Sequence, residues 1–437
     1  MQDHPVLAHV TLGYSPVIDR QRAVVATRLT VFPERPDAAP DAAALLQALD
    51  EVWPPAGAAG GPDLQLSLRP IESGRSGAAA PSRAPNLSQA SQATQAPQAT
   101  LALNIAGEAL LQAVMAAGPG PERMLEVPAF MVGTAANIPL LQRLHAQGVV
   151  LLIKGQPLAP LAPEVLACFS HALLELGEDR RQPVPALPGG RLLTPVYAGI
   201  RSTADATLAF ERGAVAVLGW PHDDPAPVPH ARNKVATDMA VVLDLIQGVD
   251  AELPVAKLEA TLKRDPTLAF RLMRYLNSPA FGMSVEINSF GHALMMLGYQ
   301  RLKRWLVLLL ASANKDTKVR PVMHAAVRRG LIMEELVRSQ GDRDLAGEMF
   351  ICGVFSLLDR LLQQPFDELL ANVPVPDRVQ QALRGEGGPY QPYLDLVRAL
   401  ENESVFDIRE CAEHLFLGPA EVNRALLQAL CTARTLD

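Results

Sequence analysis

The stretch Leu253–Leu310 most constrains the fold, because helix start and stop signals are spaced through it. Asp265 and Pro266 are typical of a helix start, since an aspartate side chain caps free N–H groups and proline fits the first helical position. Apolar residues then recur at helical spacing as far as Leu276. Asn277-Ser278-Pro279 ends the pattern, because the residue before a proline avoids the helical conformation. The stretch therefore predicts three consecutive amphipathic helices.

Helical patterns continue from Lys234 almost to the end of the chain. Proline and glycine clusters such as Gly385-Glu386-Gly387-Gly388 separate the individual segments. The further predicted helices are Met323–Arg338, Asp344–Leu362, Phe366–Ala371, Asp377–Arg384, Tyr393–Glu401, Ile408–Phe416 and Pro419–Thr435. The pattern predicts an all-helical domain over residues 235–437.

Basic residues are concentrated in the first helical stretch, although the whole chain carries a net charge of −7. Arg264, Arg271 and Arg274 fall on roughly one helix face, because steps of seven and three residues nearly return to the same angle. Together with Arg304 they form a candidate surface for an anion or a partner protein. The alternative is a solvated basic face, which is the ordinary fate of a charge cluster.

Two motifs in this stretch resemble the HDOD family, a helical output domain related to the HD-GYP phosphodiesterases. They are R-D-P-x-L-x-x-R-L-M-R-Y-L-N-S-P-x-F-G and I-N-S-F-x-H-A-L-x-x-L-G-x-x-R-L-x-R-W. Active HD-type enzymes bind metals through a histidine, an adjacent His-Asp pair and a further aspartate. Ser356-Leu357 stand at the positions of that pair, Asp359 has no histidine partner on its turn, and His324 has no companion. The resemblance therefore implies a signalling domain without metal ligands, in which His292 is structural.

The first half of the chain alternates strand-like and helix-like segments. Val6–Val31 has the pattern of a β-hairpin, and Ser73–Thr100 is a low-complexity tract that cannot bury enough apolar surface to fold, so we expect it to be disordered. Beyond it, the segment TLALNIAGEALLQAVM predicts a strand followed by a helix. The further predicted strands are Leu125–Val132, Gly148–Lys154, Ala172–Leu176, Leu192–Ala198 and Ala214–Leu218, with helices between several of them. Such alternation is typical of a parallel α/β barrel. We expect the barrel to span residues 1–225, followed by a proline-rich linker at 226–234.

Three segments of this half resemble the EAL domain, a TIM-type barrel that hydrolyses cyclic di-GMP. They are SPVIDRQRAVVATRL, TLALNIAGEALL and RSTADATLAFERGAVAVLGWPHDDP, in the order of the family. The resemblance implies a degenerate EAL-like barrel fused to the HDOD domain.

The positions that match the metal ligands of EAL enzymes are mostly not acidic. Asn104 and Glu126 remain as remnants, but Arg28 stands where the name-giving glutamate is expected and Lys154-Gly155 replace a pair of aspartates. Arg201 stands at the position of another glutamate. Basic side chains repel divalent cations, and two oxygen ligands cannot hold a Mg²⁺ pair tightly. We therefore expect no metal, no cofactor and no catalytic residues.

Three functions remain open at this point. The first is a non-catalytic signalling protein that acts through protein–protein contacts of the HDOD domain. The second is a receptor in which Arg28, Lys154 and Arg201 clamp the phosphates of cyclic di-GMP, since arginine suits bidentate phosphate contacts. The third is a residual cyclic di-GMP phosphodiesterase, which needs a carboxylate cluster that the sequence does not contain.

The amino-acid composition restricts the kinds of partner and the cellular compartment that we expect for the protein. The slightly acidic balance disfavours general nucleic-acid binding, and four scattered cysteines (Cys168, Cys352, Cys411 and Cys431) predict neither a metal knuckle nor a disulfide scaffold. No signal peptide pattern and no apolar segment of membrane-spanning length is found, so we expect a cytoplasmic protein without membrane contact. The apolar run Trp305–Leu310 is a candidate homodimer contact, with burial in the core as the alternative.

Overall fold

The structure, a computed structural model, describes residues 3–35, 37–54, 100–121, 123–157, 160–177, 193–224, 237–262, 298–299, 302–303, 306–307, 319–362, 365–370 and 376–434. Several sequence predictions lie outside these residues. They concern the low-complexity tract up to residue 99, the predicted linker, His292, and the basic surface formed by Arg264, Arg271, Arg274 and Arg304.

Eight strands form a closed barrel in the first half of the chain. They are β1 (Val10–Asp19), β2 (Val24–Pro33), β3 (Thr100–Ile105), β4 (Met124–Pro128), β5 (Val150–Lys154), β6 (Phe169–Glu175), β7 (Thr194–Ile200) and β8 (Ala216–Gly219). Neighbours in sequence are neighbours in the barrel, which closes through β1 and β8. The predicted barrel and its first hairpin are confirmed.

The barrel differs from an all-parallel TIM barrel at β1. This strand is antiparallel to both β2 and β8, whereas the other neighbouring strands are parallel. The reason is the short turn after Asp19, since a hairpin connection reverses the chain direction.

The barrel interior is apolar at one end and polar at the other. Successive side chains of a strand alternate between the two faces, so β2 directs Ala26, Arg28 and Thr30 to the same side. The apolar end contains Val17, Ala26, Ala102, Met124, Leu152, Leu173, Val196, Ala198, Ala216 and Leu218. The polar end lies where the parallel strands finish, and this is the end at which barrel enzymes carry their sites.

Helices surround the barrel and form the second half of the chain. In the first half these are α1 (Ala42–Val52), α2 (Glu108–Ala117), α3 (Ala129–Val132), α4 (Ile138–Ala146), α5 (Pro163–Leu166) and α6 (Thr203–Glu211). The second half contains α7 (Thr237–Asp250), α8 (Val255–Leu262), α9 (Arg320–Val337), α10 (Arg343–Phe355), α11 (Leu358–Leu362), α12 (Phe366–Leu370), α13 (Asp377–Arg384), α14 (Gln391–Glu401), α15 (Val405–His414) and α16 (Pro419–Arg434). No helix within the described ranges is long and apolar enough to cross a membrane.

The helical half packs directly on strand β1. Helices α14, α15 and α16 all contact this strand, and one cluster of buried apolar side chains includes residues of both halves, such as Leu12 and Leu426. Strand β1 pairs with β8 only from Val17 to Asp19. The earlier part of β1 is therefore covered by helices on that side.

Asn423 of α16 completes the hydrogen bonding at the start of β1. Its Oδ1 accepts from the Leu12 N–H at 3.0 Å, and its Nδ2 donates to the carbonyls of Leu7 and Val10, both at 2.8 Å. The side chain is 1% exposed. One amide thus satisfies three main-chain groups that water cannot reach.

We predict that Asn423→Ala lowers the free energy of unfolding by about 2–4 kcal/mol, because it leaves buried donors and acceptors without partners. Urea denaturation followed by circular dichroism measures this loss. Asn423→Asp is the matched variant: it keeps the acceptor for Leu12 but sets a carboxylate against two carbonyls, so we expect it to be no more stable than Asn423→Ala. A loss below about 0.5 kcal/mol in both variants would contradict this role.

Candidate functional site

A cavity of about 580 Å³ opens at the polar end of the barrel. Strands β2, β3, β5 and β6 contribute polar side chains to its wall, two of them from β2, and the helical half contributes one more. These residues are Arg28, Thr30, Asn104, Lys154, Glu175 and Glu403. The cavity therefore brings the predicted residues Arg28, Asn104 and Lys154 together with polar side chains that the sequence analysis did not single out. The other remnant, Glu126, does not line the cavity but contacts Arg28.

Arg28 lies at the bottom of this cavity between two carboxylates. Its Nε and Nη2 donate to the two oxygens of Glu126 at 2.5 and 2.9 Å, and its Nη1 donates to Glu403 Oε2 at 2.5 Å. Arg28 is 7% exposed and Glu126 is 2% exposed. Burial opposes the charge of the guanidinium, but Glu126 and Glu403 together outweigh it and raise the pKa of Arg28 above the ordinary arginine value. Arg28 is therefore a fixed cation.

Lys154 places a second cation beside the two remnants, Asn104 and Glu126. Its Nζ donates to Asn104 Oδ1 at 3.1 Å and lies 3.8 Å from Glu126 Oε2. The Nδ2 of Asn104 in turn donates to Thr30 Oγ1 at 3.1 Å. Both remnants, Asn104 and Glu126, are thus engaged by basic side chains of the protein itself.

This arrangement does not fit a divalent metal pair. A metal ion at Glu126 would have to displace the bidentate guanidinium and would then face Lys154 at short range. Within the described ranges, no group of three or more His, Cys, Asp or Glu side chains is placed to hold a metal ion.

Glu403 reaches the cavity from the turn between α14 and α15, which consists of residues 402–404. Besides the bond from Arg28, its carboxylate accepts from Ser15 Oγ at 2.7 Å and from Thr30 Oγ1 at 2.8 Å. Its backbone φ of 53° lies in the left-handed region, which is unusual for a residue other than glycine. Gly13 makes room for it, since a Cβ on Gly13 would lie 3.0 Å from the Glu403 Cα.

A second buried ion pair lies two residues before Glu403. Glu401 accepts from Arg329 Nε and Nη2 at distances between 2.7 and 3.0 Å, and from the Tyr14 hydroxyl at 3.4 Å. Burial opposes the charge of Arg329, but Glu401 raises its pKa above the ordinary value. Burial and the charge of Glu401 also raise the pKa of Tyr14, so the phenol stays protonated and can donate. Glu401 thus connects α9 to strand β1.

Ser356, the first of the two positions expected for an HD pair, is part of this second network. Ser356 Oγ accepts from Arg329 Nη1 at 3.0 Å and donates to the Gly353 carbonyl at 2.7 Å. Asp359 pairs with Arg360, and burial raises the pKa of its carboxyl group. His324 lies near Trp220, with the two rings tilted by 40° and their centroids 6.2 Å apart, and burial lowers the pKa of His324 well below the ordinary value. An arginine therefore lies beside a position expected for a metal ligand here, as it does in the barrel.

Sequence reasoning grouped Arg28, Lys154 and Arg201, and the structure brings only the first two together. Arg201 follows β7 and pairs with Asp223 at 3.1 Å, with its side chain 68% exposed, and it does not line the cavity. Glu401, Glu403 and Arg329 were missed. Gly13 carried a signal for such an approach, because a glycine inside a strand often marks a site where another backbone comes close.

Comparisons with known proteins identify the first part of the helical half. The HDOD domain model matches residues 236–365. YuxH of Bacillus subtilis, an uncharacterized protein, is 28% identical over 176 residues, which cover 39% of this chain and 43% of YuxH. The cyclic di-GMP phosphodiesterase CdgJ of Vibrio cholerae is 26% identical over 196 residues, or 45% of each chain. The matches span less than half the length of these relatives.

A solved structure described as the PaMucR phosphodiesterase in complex with c-di-GMP is also similar. The match covers 48% of this chain and 94% of that structure's chain, with 13% identity and a TM-score of 0.29. The chain thus contains an HDOD domain at residues 236–365, and its relatives are distant. The predicted HDOD resemblance is confirmed.

We predict that Arg28→Met lowers the free energy of unfolding by about 3–5 kcal/mol, because it leaves the buried carboxylate of Glu126 without its partner. Urea denaturation of the single variant and of the double variant Arg28→Met with Glu126→Gln measures the coupling between the two residues. The double variant should regain about half of the loss, since the second change removes the uncompensated charge. Strictly additive losses would show that the pair is not coupled.

The second prediction concerns the free energy of unfolding at acidic pH and depends on the buried His222, which contacts Arg329. Burial and the neighbouring Arg329 lower the pKa of His222 from the ordinary 6.5 to about 2. The contribution of neutral His222 is therefore complete above pH 6.5 and is lost as the pH falls, because only the unfolded chain takes up the proton. Between about pH 6 and pH 4.5 each such histidine adds about 1.4 kcal/mol per pH unit to the slope of the free energy of unfolding.

His222→Gln should reduce the slope of the free energy of unfolding against pH by about 1.4 kcal/mol per pH unit. Urea denaturation at a series of pH values measures this slope. His171, whose pKa burial lowers to about 4, remains as an internal reference in the same variant. An unchanged slope would mean that His222 is not held neutral in the folded protein.

Proposed function

We propose that this protein is a signal-transduction protein related to cyclic di-GMP signalling, in which an EAL-like barrel without hydrolytic activity supports an HDOD domain. The HDOD domain acts through contacts with other proteins. The observation that carries this proposal is the bidentate pairing of Arg28 with Glu126 inside the barrel.

The charge arrangement supports a barrel without hydrolysis. Metal-dependent phosphodiester cleavage needs carboxylates that are free to bind cations and activate a water molecule. Here Glu126 holds Arg28 and lies 3.8 Å from Lys154, and Asn104 accepts from the same lysine. Two protein cations thus stand where the EAL resemblance expects carboxylates and bound metal.

The helical half supports an interaction role. The chain contains an HDOD domain at residues 236–365, and one of its relatives is named as a cyclic di-GMP phosphodiesterase. That relative is the basis for relating this protein to cyclic di-GMP signalling. Ser356 stands at a position expected for a metal ligand and instead accepts a hydrogen bond from Arg329. The partner surface formed by Arg264, Arg271, Arg274 and Arg304, dimerisation through Trp305–Leu310 and a cytoplasmic location stay predictions from the sequence.

The second candidate is a receptor for cyclic di-GMP, and the size of the cavity favours it. A volume of about 580 Å³ lies in the range of small-molecule sites, and the Lys154 side chain is 37% exposed there. The charges oppose it in the observed arrangement. Arg28 is already neutralised by Glu126 and Glu403, while Glu108 and Glu175 add negative charge to the wall. The interaction role is therefore the better supported function, and a residual phosphodiesterase is the least supported.

We predict that the purified protein does not cleave cyclic di-GMP in the presence of Mg²⁺ or Mn²⁺, because its remnant ligands hold basic side chains. Chromatography of the nucleotides after prolonged incubation measures the linear product. Glu126→Gln is the control variant. Metal-dependent product in the wild type that disappears in Glu126→Gln would overturn the proposal and locate an activity in the barrel.

A further inference from the structure

Strands β1 and β2 together form a small receptor for a carboxylate group. Ser15 and Arg28 are directly opposite each other in the ladder, as are Gly13 and Thr30. Ser15 Oγ, Arg28 Nη1 and Thr30 Oγ1 all donate to the carboxylate of Glu403, at 2.7, 2.5 and 2.8 Å. Two hydroxyls and one guanidinium arranged around a single point are donors that suit any oxyanion, a phosphate group included.

The residue that fills this receptor is held in an unfavourable backbone conformation. Glu403 is not a glycine, yet its φ of 53° lies in the left-handed region. Such strained conformations persist where surrounding contacts outweigh their cost, and they are concentrated at ligand clamps and switches. The three donors on the barrel are the contacts that hold this turn in place.

Gly13 independently shows how closely the turn fits the barrel. Any larger residue at this position would place its Cβ 3.0 Å from the Cα and 3.2 Å from the Cβ of Glu403. The barrel wall is therefore shaped to receive the backbone of the turn as well as its carboxylate.

We propose that Glu403 is an internal ligand that closes an anion site of the barrel, and that a phosphate-bearing ligand enters this site by displacing it. Binding of such a ligand and docking of the α14–α15 turn then exclude each other. The inference concerns binding alone, so it stands whether or not the barrel hydrolyses anything.

The donors around Glu403 explain why an anion would replace it. With Glu403 in place, Arg28 lies between the carboxylates of Glu126 and Glu403. Withdrawal of Glu403 removes one of these two carboxylates and leaves Ser15 Oγ, Arg28 Nη1 and Thr30 Oγ1 without the acceptor that they share. A ligand phosphate in this position accepts the same three hydrogen bonds and replaces the negative charge of Glu403.

The same turn connects the site to the HDOD domain. Glu401, two residues before Glu403, holds Arg329 of α9, which lies within residues 236–365. Glu401 also accepts from Tyr14 of β1. A turn that leaves the barrel must therefore move against a buried ion pair with a helix of the HDOD domain. Ligand occupancy of the barrel is thereby coupled to that domain.

The experiment is a calorimetric titration of the chain of residues 1–437 with two probes in the absence of metal: inorganic pyrophosphate and cyclic di-GMP. Wild type is compared with Glu403→Gln and Glu403→Gly. Glutamine keeps the size of the side chain and removes its charge, whereas glycine also removes the backbone strain. Glu410→Gln is the matched control, because it removes the same charge from an exposed position on α15.

We expect at least one probe to bind Glu403→Gln and Glu403→Gly tenfold or more tightly than wild type, with Glu410→Gln unchanged. Adding Lys154→Ala to Glu403→Gln should abolish this gain, which locates binding in the barrel. A gain with pyrophosphate alone would mean that the site takes free phosphates, and a gain with both probes would mean that it also accepts the dinucleotide.

The proposal is overturned if folded Glu403→Gln has the affinity of wild type for both probes, including no measurable binding in either. It is also overturned if the gain survives Lys154→Ala, because binding then occurs elsewhere. Circular dichroism establishes that each variant is folded. Glu403→Gln decides the outcome if Glu403→Gly does not fold.

Discussion

The structure depends on a guanidinium buried between two carboxylates, one from each half of the chain. Arg28 points into the barrel because strand β2 alternates its side chains and Ala26 and Thr30 share its face. A cation in that position is costly unless its partners are close and fully hydrogen-bonded. Glu126 supplies one partner from inside the barrel and Glu403 supplies the other from the helical half. The buried charge of Arg28 therefore has both of its carboxylate partners only when the helices are packed against the barrel.

The rest of the contact between the two halves also contains buried polar groups that are paired with each other. Strand β1 has strand neighbours on both sides only near its end, and its beginning depends on Asn423 for hydrogen bonds. Tyr14 and Trp220 pack edge to face at 5.4 Å beside the Glu401–Arg329 pair. Polar groups buried at this contact thus satisfy one another across the boundary.

Much of this could be predicted from local patterns. The EAL resemblance grouped Arg28, Asn104, Glu126 and Lys154 as positions that match one set of metal ligands, and the structure brings these side chains into contact. The predicted strand at Leu125–Val132 was too long, since β4 ends at Pro128 and α3 follows. A short apolar run has too few residues to distinguish a helical period from a strand.

The partners of Arg28 and Arg329 in the helical half could not be predicted. Glu403 contacts a residue 375 positions away in the chain, and nothing in its neighbours indicates the docking of a turn against a strand. The prediction that Arg201 lies beside Arg28 and Lys154 was wrong for a related reason, since the side chain of a residue just beyond a strand can turn outward. Its side chain does so and pairs with Asp223. Long-range partners of charged residues are set by packing, which local spacing does not encode.

The most direct test of the pairing of Arg28 with Glu126 is a titration of the wild-type protein with Mn²⁺, followed by water proton relaxation, beside Glu126→Gln. We predict equal responses from the two proteins, because the carboxylate of Glu126 is already held by Arg28 and binds no metal. A site in the wild type that disappears in Glu126→Gln would contradict it. Such a result would show that a divalent cation can take the place of the guanidinium.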